Sequence, residues 1–420
     1  MVVERLRAGR FTDLIDFFTP GLRDVLSADE VSDGWAVMRK MHGDVCAVGS
    51  PMSSRADSGA ILVHVPVTCE RGGFVVAVSI NADKGQDEGQ IAGLRMVSDG
   101  APPSASPWAP ASWVDSESFT ERDVTIGAGP LQVSGSQTLP RLSTPARAVV
   151  LLSGSGPSDR DGTVGANKPL KDLAWGLGSR RIATLRYDKV TYAHAAKLVG
   201  IPDFTMVDEY VDHTVAAIER LQGDPLIDPA HIYLLGHSLG GSILPRIAAR
   251  VTTVAGLIIL AGGAQPIHHS IVRQVRYLAA LRPGADVEND SAVQEFTRQA
   301  DLIDSPAFSA STPANELPFN VPAPYWLDAR GYDPVATAAD LNTPMLILQG
   351  SRDYQVTVAD DLRRWQDGLA HRTNVTFRIY PADNHFFFPG SGPSSPDEYT
   401  PPQHVDHRVI TNISTWIGSQ

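Results

Sequence analysis

The chain has 420 residues, 43% of them hydrophobic and 20% charged, with a formal net charge of -12. That length allows two domains of ordinary size, and the composition is that of a soluble folded protein. The acidic balance argues against nucleic acid or an anionic membrane as a partner.

No run of about 18 apolar residues marks a transmembrane helix, and the start Met1–Arg10 lacks the apolar stretch of a signal peptide. The expected location is therefore the cytoplasm, with secretion left open if a leader has been removed. Cys46 and Cys69 are the two cysteines and have no metal-ligand spacing. They are read as free thiols in a reducing compartment, a single disulfide being the other option.

Residues 1–100 read as a small α+β domain. Phe11, Leu14, Ile15 and Phe18 form a helical stripe over 10–18. Ser27 followed by Glu30 is a capping box that opens a second helix through Val31, Trp35 and Met38, with Gly43 as its stop. The period then changes to two: Ile61, Val63, Val65 and Val67 alternate, Arg71-Gly72-Gly73 turns, and 74–80 and 91–97 return as strands. His64 falls opposite the valines and reads as a surface histidine. A structural role is the reading preferred for this domain, with binding or assembly as a homo-oligomer as the alternative. Residues 101–114, rich in proline and serine, read as a semi-rigid linker.

From 115 to 420 strands and helices alternate, which predicts a mostly parallel sheet covered on both faces. The predicted strands are a hairpin over 124–135, then 146–152, 182–187, the run ending at Gly236, 254–260, 345–349 and 376–380. Helices are expected over 206–221 and 404–417. The segment of about 265–332 interrupts the alternation with two helical patterns and a proline-rich stretch. It reads either as a lid over a site or as a plain helical excursion.

The chemistry centres on Gly236-His237-Ser238-Leu239-Gly240. A buried strand stops at Gly236 and a helical pattern follows Ser238, the context of a nucleophile elbow, in which Gly236 and Gly240 avoid collisions with neighbouring backbone. A serine needs a base, and the base needs an acid to fix its tautomer. Asp353 follows the strand 345–349 and His385 follows 376–380, giving the order Ser, Asp, His along the chain. Asp383 is a rival acid, but it sits on the same loop as the histidine. His237 is assigned no catalytic role, its side chain expected to point away from the nucleophile; His268 and His269 read as helix surface rather than metal ligands. The backbone amides of Leu239 and Ser155 are the candidate oxyanion donors, with Gly154 or Gly156 as neighbours of the latter. The Gly-rich turn lacks the lysine and hydroxyl pair of a phosphate loop, so nucleotide binding is rejected.

These residues resemble the α/β-hydrolase superfamily, and more narrowly bacterial serine esterases with a small N-terminal domain of the DUF3887 type. The resemblance is carried by Ser153-Gly154-Ser155-Gly156-Pro157-Ser158-Asp159-Arg160-Asp161, by the elbow, by Tyr325-Trp326-Leu327-Asp328, by Gly350-Ser351-Arg352-Asp353-Tyr354-Gln355-Val356, and by Asp383-Asn384-His385. It implies an α/β-hydrolase fold and a carboxylesterase acting on short or medium acyl esters, with no cofactor. Arg186-Tyr187-Asp188-Lys189 departs from the resemblance in being followed by Val190-Thr191 instead of a basic residue and glycine. Thioester or peptide hydrolysis, acyl transfer or cyclisation would use the same triad. A non-catalytic binding module is the reading from a different class.

Overall fold

The computed structural model describes residues 1–23, 26–44, 46–55, 61–70, 72–81, 89–98, 108–198, 201 and 203–420. They fall into two units, 1–107 with 396–402, and 108–395 with 403–420. Half of the proline-rich linker, 101–107, and Arg71 of the predicted turn lie outside the described residues.

In the first unit the capping box is formed: Ser27 Oγ accepts from the Glu30 amide at 3.2 Å while Glu30 Oε2 accepts from the Ser27 amide at 2.7 Å. The helix Ala28–His42 follows, and Gly43 ends it with φ 109°. The strands are β1 (Cys46–Val48), β2 (Met52–Arg55), β3 (Ile61–Cys69), β4 (Gly72–Ile80) and β5 (Ile91–Ser98). They form an antiparallel sheet in the order β1-β3-β4-β5, with β2 also on β3. Leu14, Phe18, Val31, Trp35, Phe74 and Val76 belong to the core beneath it. The helix expected over 10–18 is shorter, Phe11–Ile15. The Thr19 amide bonds to the Ile91 carbonyl and the Ile91 amide to the Phe17 carbonyl, drawing the chain onto the sheet. Pro20 also disfavours helical backbone at Thr19. His64 is half-buried instead of exposed.

The free-thiol reading is corrected: Cys46 and Cys69 form a disulfide. The β1–β3 register sets the two residues directly opposite, with Cα atoms 4.0 Å apart. The sequence could not reveal this because β1, only three residues long, carries no readable period.

The second unit holds an eight-stranded sheet: β6 (Phe119–Ile126), β7 (Val133–Pro140), β8 (Ala146–Leu152), β9 (Ala183–Tyr187), β10 (Ile227–His237), β11 (Gly256–Leu260), β12 (Met345–Gly350) and β13 (Val375–Tyr380). The order is β13-β12-β11-β10-β8-β9-β7-β6. β8 through β13 run parallel, and the β6–β7 hairpin pairs antiparallel on one edge. This is the mixed, mostly parallel sheet of the α/β-hydrolase fold. β11 and β12 are buried at every residue, which explains their unbroken apolar runs. After β8 the chain goes to one side and after β10 to the other, so a crevice opens between the carboxyl ends of these two neighbours.

Sequence periodicity missed the helix Pro169–Gly178, although Leu170, Leu173, Ala174 and Leu177 follow a helical spacing from a proline at its first position. The last helix begins at His407, not His404, because Asp406 caps it by accepting from the Arg408 amide. Between β11 and β12 the interruption contains the helices Ile267–Ala280, Ser291–Asp304 and Ala323–Arg330. Ile303, Phe308, Leu317, Ala323 and Trp326 give it a small core of its own.

The disulfide yields a direct test. Denatured protein is expected to show no free thiol by Ellman titration until a reductant is added. The Cys46→Ser/Cys69→Ser variant should lose about 3 kcal/mol from the unfolding of the N-terminal unit in urea. Two titratable thiols before reduction would contradict the pairing.

Candidate active site

β10 delivers the chain to Ser238 with φ 55° and ψ -126°, a conformation unusual for a residue with a Cβ. The Ser238 amide donates to the Leu260 carbonyl at 2.9 Å, and the Ser238 carbonyl accepts from the Gly241 and Ser242 amides at 2.8 and 3.0 Å. A Cβ at Gly236 would lie 2.1 Å from the Gly240 carbonyl oxygen, and one at Gly240 would lie 2.3 Å from that of Ser153. Only glycine allows the turn to close this tightly against β8.

Asp353 stands just past β12 and His385 just past β13. His385 Nδ1 and Asp353 Oδ2 are 2.8 Å apart, and both residues are buried. The same oxygen accepts from Gln349 Nε2 at 3.0 Å, while Oδ1 accepts from the amides of Gln355 and Val356 at 2.8 and 2.9 Å. With Asp353 accepting, Nδ1 carries the ring proton and Nε2 is left as the basic nitrogen. Gln349 is a partner the sequence reading missed; its own grip on the Val356 carbonyl at 2.7 Å closes the acid turn.

The turn after β8 runs directly beside the serine. A Cβ on Gly154 would meet Ser238 Cβ at 3.0 Å and His237 Nδ1 at 3.5 Å. Leu239 begins its helix, so its amide has no acceptor within it. Among the described residues neither it nor the Ser155 amide hydrogen-bonds within the protein. Ser153 Oγ is buried and also has no partner.

Ser153, Gly154, Ser155, Ser238 and His385 line one cavity of about 240 Å³. Its apolar wall includes Leu170, Leu173, Phe386, Phe387 and Val405. The helix Pro169–Gly178, absent from the sequence reading, therefore supplies part of the wall. Leu239 is not among the lining residues, and no described residue of 265–332 is either. The insertion instead braces the acid turn: Tyr277 stacks on Tyr354 with ring centroids 4.8 Å apart, and Arg273 bonds to the Gln355 carbonyl at 2.8 Å and to Asp361 at 2.6 Å.

Two histidine readings change. His237 lines the cavity, its ring 4.6 Å from that of His385, and its Nε2 bonds to the His385 carbonyl at 2.9 Å. Burial, then the neighbouring His385, pushes its pKa down to about 3, so it stays neutral and donates from Nε2. His268 is buried, not on the surface; its Nε2 and that of His269 meet the two oxygens of Asp304 at 2.9 and 2.6 Å. The His268 Nδ1 is buried without a partner. A metal-bound Nε2 would leave Nδ1–H there with no acceptor, so these residues fit a clasp between two helices better than a metal site.

The model of the alpha/beta hydrolase family matches residues 149–401. Esterase EstD of Thermotoga maritima is 30% identical over 417 residues, covering 99% of this chain and 94% of its own. The monoacylglycerol lipase of Mycolicibacterium smegmatis is 26% identical over 190 residues, 44% of this chain and 61% of that protein. Among solved structures, a hyperthermophilic esterase from the archaeon Pyrobaculum calidifontis aligns with TM-score 0.46 and 14% identity, over 71% of this chain and 85% of the other.

Asp383, the rival acid, makes no contact with the His385 ring that any hydrogen bond records. It is fully buried, neither carboxyl oxygen accepts a hydrogen bond, and the Arg408 guanidinium lies 3.8 Å away. Burial first, and the Asp406 charge second, raise its pKa to about 7, against the pull of Arg408. The folded value exceeds the unfolded one, so its stabilising contribution is complete below the ordinary carboxylate range and is lost as pH climbs through about 7. Asp383→Asn should therefore raise Tm by about 2–4 °C at pH 8.5 and leave it nearly unchanged at pH 4. Equal shifts at both pH values in calorimetry would refute this assignment.

Proposed function

Because the chain belongs to the alpha/beta hydrolase family and is a carboxylic ester hydrolase, we propose that it is a serine esterase working through Ser238, His385 and Asp353. One observation carries this reading: the bond of 2.8 Å between Asp353 Oδ2 and Nδ1 of His385, the histidine that lines the same cavity as the conformationally unusual Ser238. His385 Nε2 takes the hydroxyl proton as Ser238 Oγ adds to the ester carbonyl. The oxyanion that forms is met by the Leu239 and Ser155 amides. Collapse expels the alcohol, which takes the proton back from His385, and leaves an acyl-serine. Water, deprotonated by the same nitrogen, then adds to the acyl carbon; Ser238 recovers a proton and the acid leaves. Every proton is shuttled by His385, so the cycle calls on no cofactor or metal.

The size of the cavity and its aromatic and aliphatic wall support short to medium acyl groups. The N-terminal unit, with helices ahead of an antiparallel sheet, is proposed to be of the DUF3887 type. Its disulfide favours an oxidising compartment over the cytoplasm.

The wild type is expected to hydrolyse p-nitrophenyl acetate and butyrate faster than the octanoate. Ser238→Ala should lower kcat by about 10³-fold or more without loss of fold. A fluorophosphonate should label the wild type at Ser238 and leave the variant unlabelled. Turnover that survives in Ser238→Ala would sink the serine mechanism.

A further inference from the structure

Lys189 is a buried cation whose place in the proposed reaction is otherwise unexplained. It stands two residues past the end of β9, next to β8 in the sheet, so it emerges beside the turn that follows β8. Its ammonium is buried on all sides and surrounded by four oxygens: Glu209 Oε1 at 2.7 Å, Tyr210 Oη at 2.8 Å, and the carbonyls of Gly154 and Gly156, both at 2.9 Å. Tyr210 Oη donates in turn to the Gly154 carbonyl at 2.6 Å. The second oxygen of Glu209 accepts from Tyr325 Oη at 2.6 Å. Every member of the set has a partner, as a buried network requires.

The two carbonyls flank Ser155, whose amide is one of the proposed oxyanion donors. In a planar trans peptide the C=O and the following N–H point in opposite directions. Drawing the Gly154 carbonyl toward Lys189 and Tyr210 therefore turns the Ser155 N–H the other way. The same ammonium anchors the Gly156 carbonyl in the peptide one step further on, and the ring of Pro157 fixes φ beyond it. The ammonium at the carbonyl end also polarises that peptide, which strengthens its N–H as a donor.

We propose that Lys189, held by Glu209 and assisted by Tyr210, is the positioning residue of the oxyanion turn. It touches no substrate atom; it sets the direction of the Ser155 amide before the tetrahedral intermediate forms. The proposal rests on the serine-esterase reading above. Against it stands the simpler view that the pair only stabilises a loop. The two differ in what they do to transition-state binding. A loop stabiliser affects folding, whereas an amide positioner affects kcat and the affinity of a tetrahedral analogue together.

The test uses the full chain. Lys189→Met alone would strand a buried Glu209 carboxylate, so it is paired as Lys189→Met/Glu209→Gln, with Tyr210→Phe as a milder variant. Measured for each are Tm, kcat and KM on p-nitrophenyl butyrate, and inhibition by a short alkyl trifluoromethyl ketone, which adds to the serine as an oxyanion. The double variant is expected to keep KM within about twofold, lose about 10²-fold in kcat, and lose ketone affinity in step with kcat/KM. Tyr210→Phe should lose about tenfold in kcat with KM unchanged. If the double variant fails to fold, Tyr210→Phe still decides. A folded variant with kcat near wild type, or a fall in kcat with ketone affinity intact, overturns the proposal. A wild type that neither turns over esters nor reacts with a fluorophosphonate at Ser238 overturns the esterase reading, and this inference with it. A reactive wild type with indifferent variants overturns the positioning role alone.

Discussion

The backbone at Ser238 sits at φ 55° and ψ -126°, at a cost of about 1–3 kcal/mol, and the surrounding sheet has to keep it there. The means are visible in the register. Gly236 pairs with Leu152 of β8 on one side and Ile259 of β11 on the other. The next residues then turn away while the Ser238 amide still reaches the Leu260 carbonyl. A shift of either neighbour would remove that acceptor or drive Gly240 into Ser153. The buried, apolar centre of the sheet gives the register its rigidity, because sliding any of β8, β10 or β11 would expose or misplace a whole row of packed side chains.

Buried charge in the second unit follows one rule, and Asp383 is the exception that displays it. Asp353 has an acceptor bond from each of four donors. Asp361 accepts from the Ala264, Gln265 and Thr357 amides and from Arg273. Glu209 and Lys189 satisfy each other and their neighbours. An ionised group far from water is tolerable only with such company. Among the described residues Asp383 has no hydrogen-bond donor, only the Arg408 guanidinium at 3.8 Å, and its carboxyl is correspondingly pushed toward the neutral form. Asp353, Asp361, Glu209 and Asp383 are all buried carboxyl groups, yet their chemistry diverges according to who donates to them.

Much of this was legible locally. Unbroken apolar runs mark the buried strands that precede Ser238 and Asp353, while His385 follows the half-exposed edge strand β13, legible from its β-branched and aromatic residues. What stayed hidden depends on long-range contact or on short elements. The pairing of Cys46 with Cys69 needs the three-residue β1. His237 meets a carbonyl 148 residues further on, which no spacing in its own segment announces. In the sequence Lys189 is only part of a motif with an irregular successor; its partners are carbonyls more than 30 residues earlier. The helix Pro169–Gly178 has a readable period, but only ten residues of it after a long irregular stretch.

The insertion between β11 and β12, which sequence leaves open between a lid and a plain helical excursion, gains its meaning from contacts. A lid would be expected to furnish the cavity wall, yet no described residue of 265–332 lines it. Its first helix holds the acid turn through Arg273 and Tyr277. Its last helix holds the other side: Tyr325 donates to Glu209, and Asp328 takes both guanidinium nitrogens of Arg246 at 2.9 and 2.6 Å. The insertion thus grips the supports of the proposed acid and of the proposed oxyanion turn without entering the space between them. A segment so placed acts on the geometry of two distant loops at once, and sequence drift within it would be felt in turnover before it was felt in the size of the acyl group accepted.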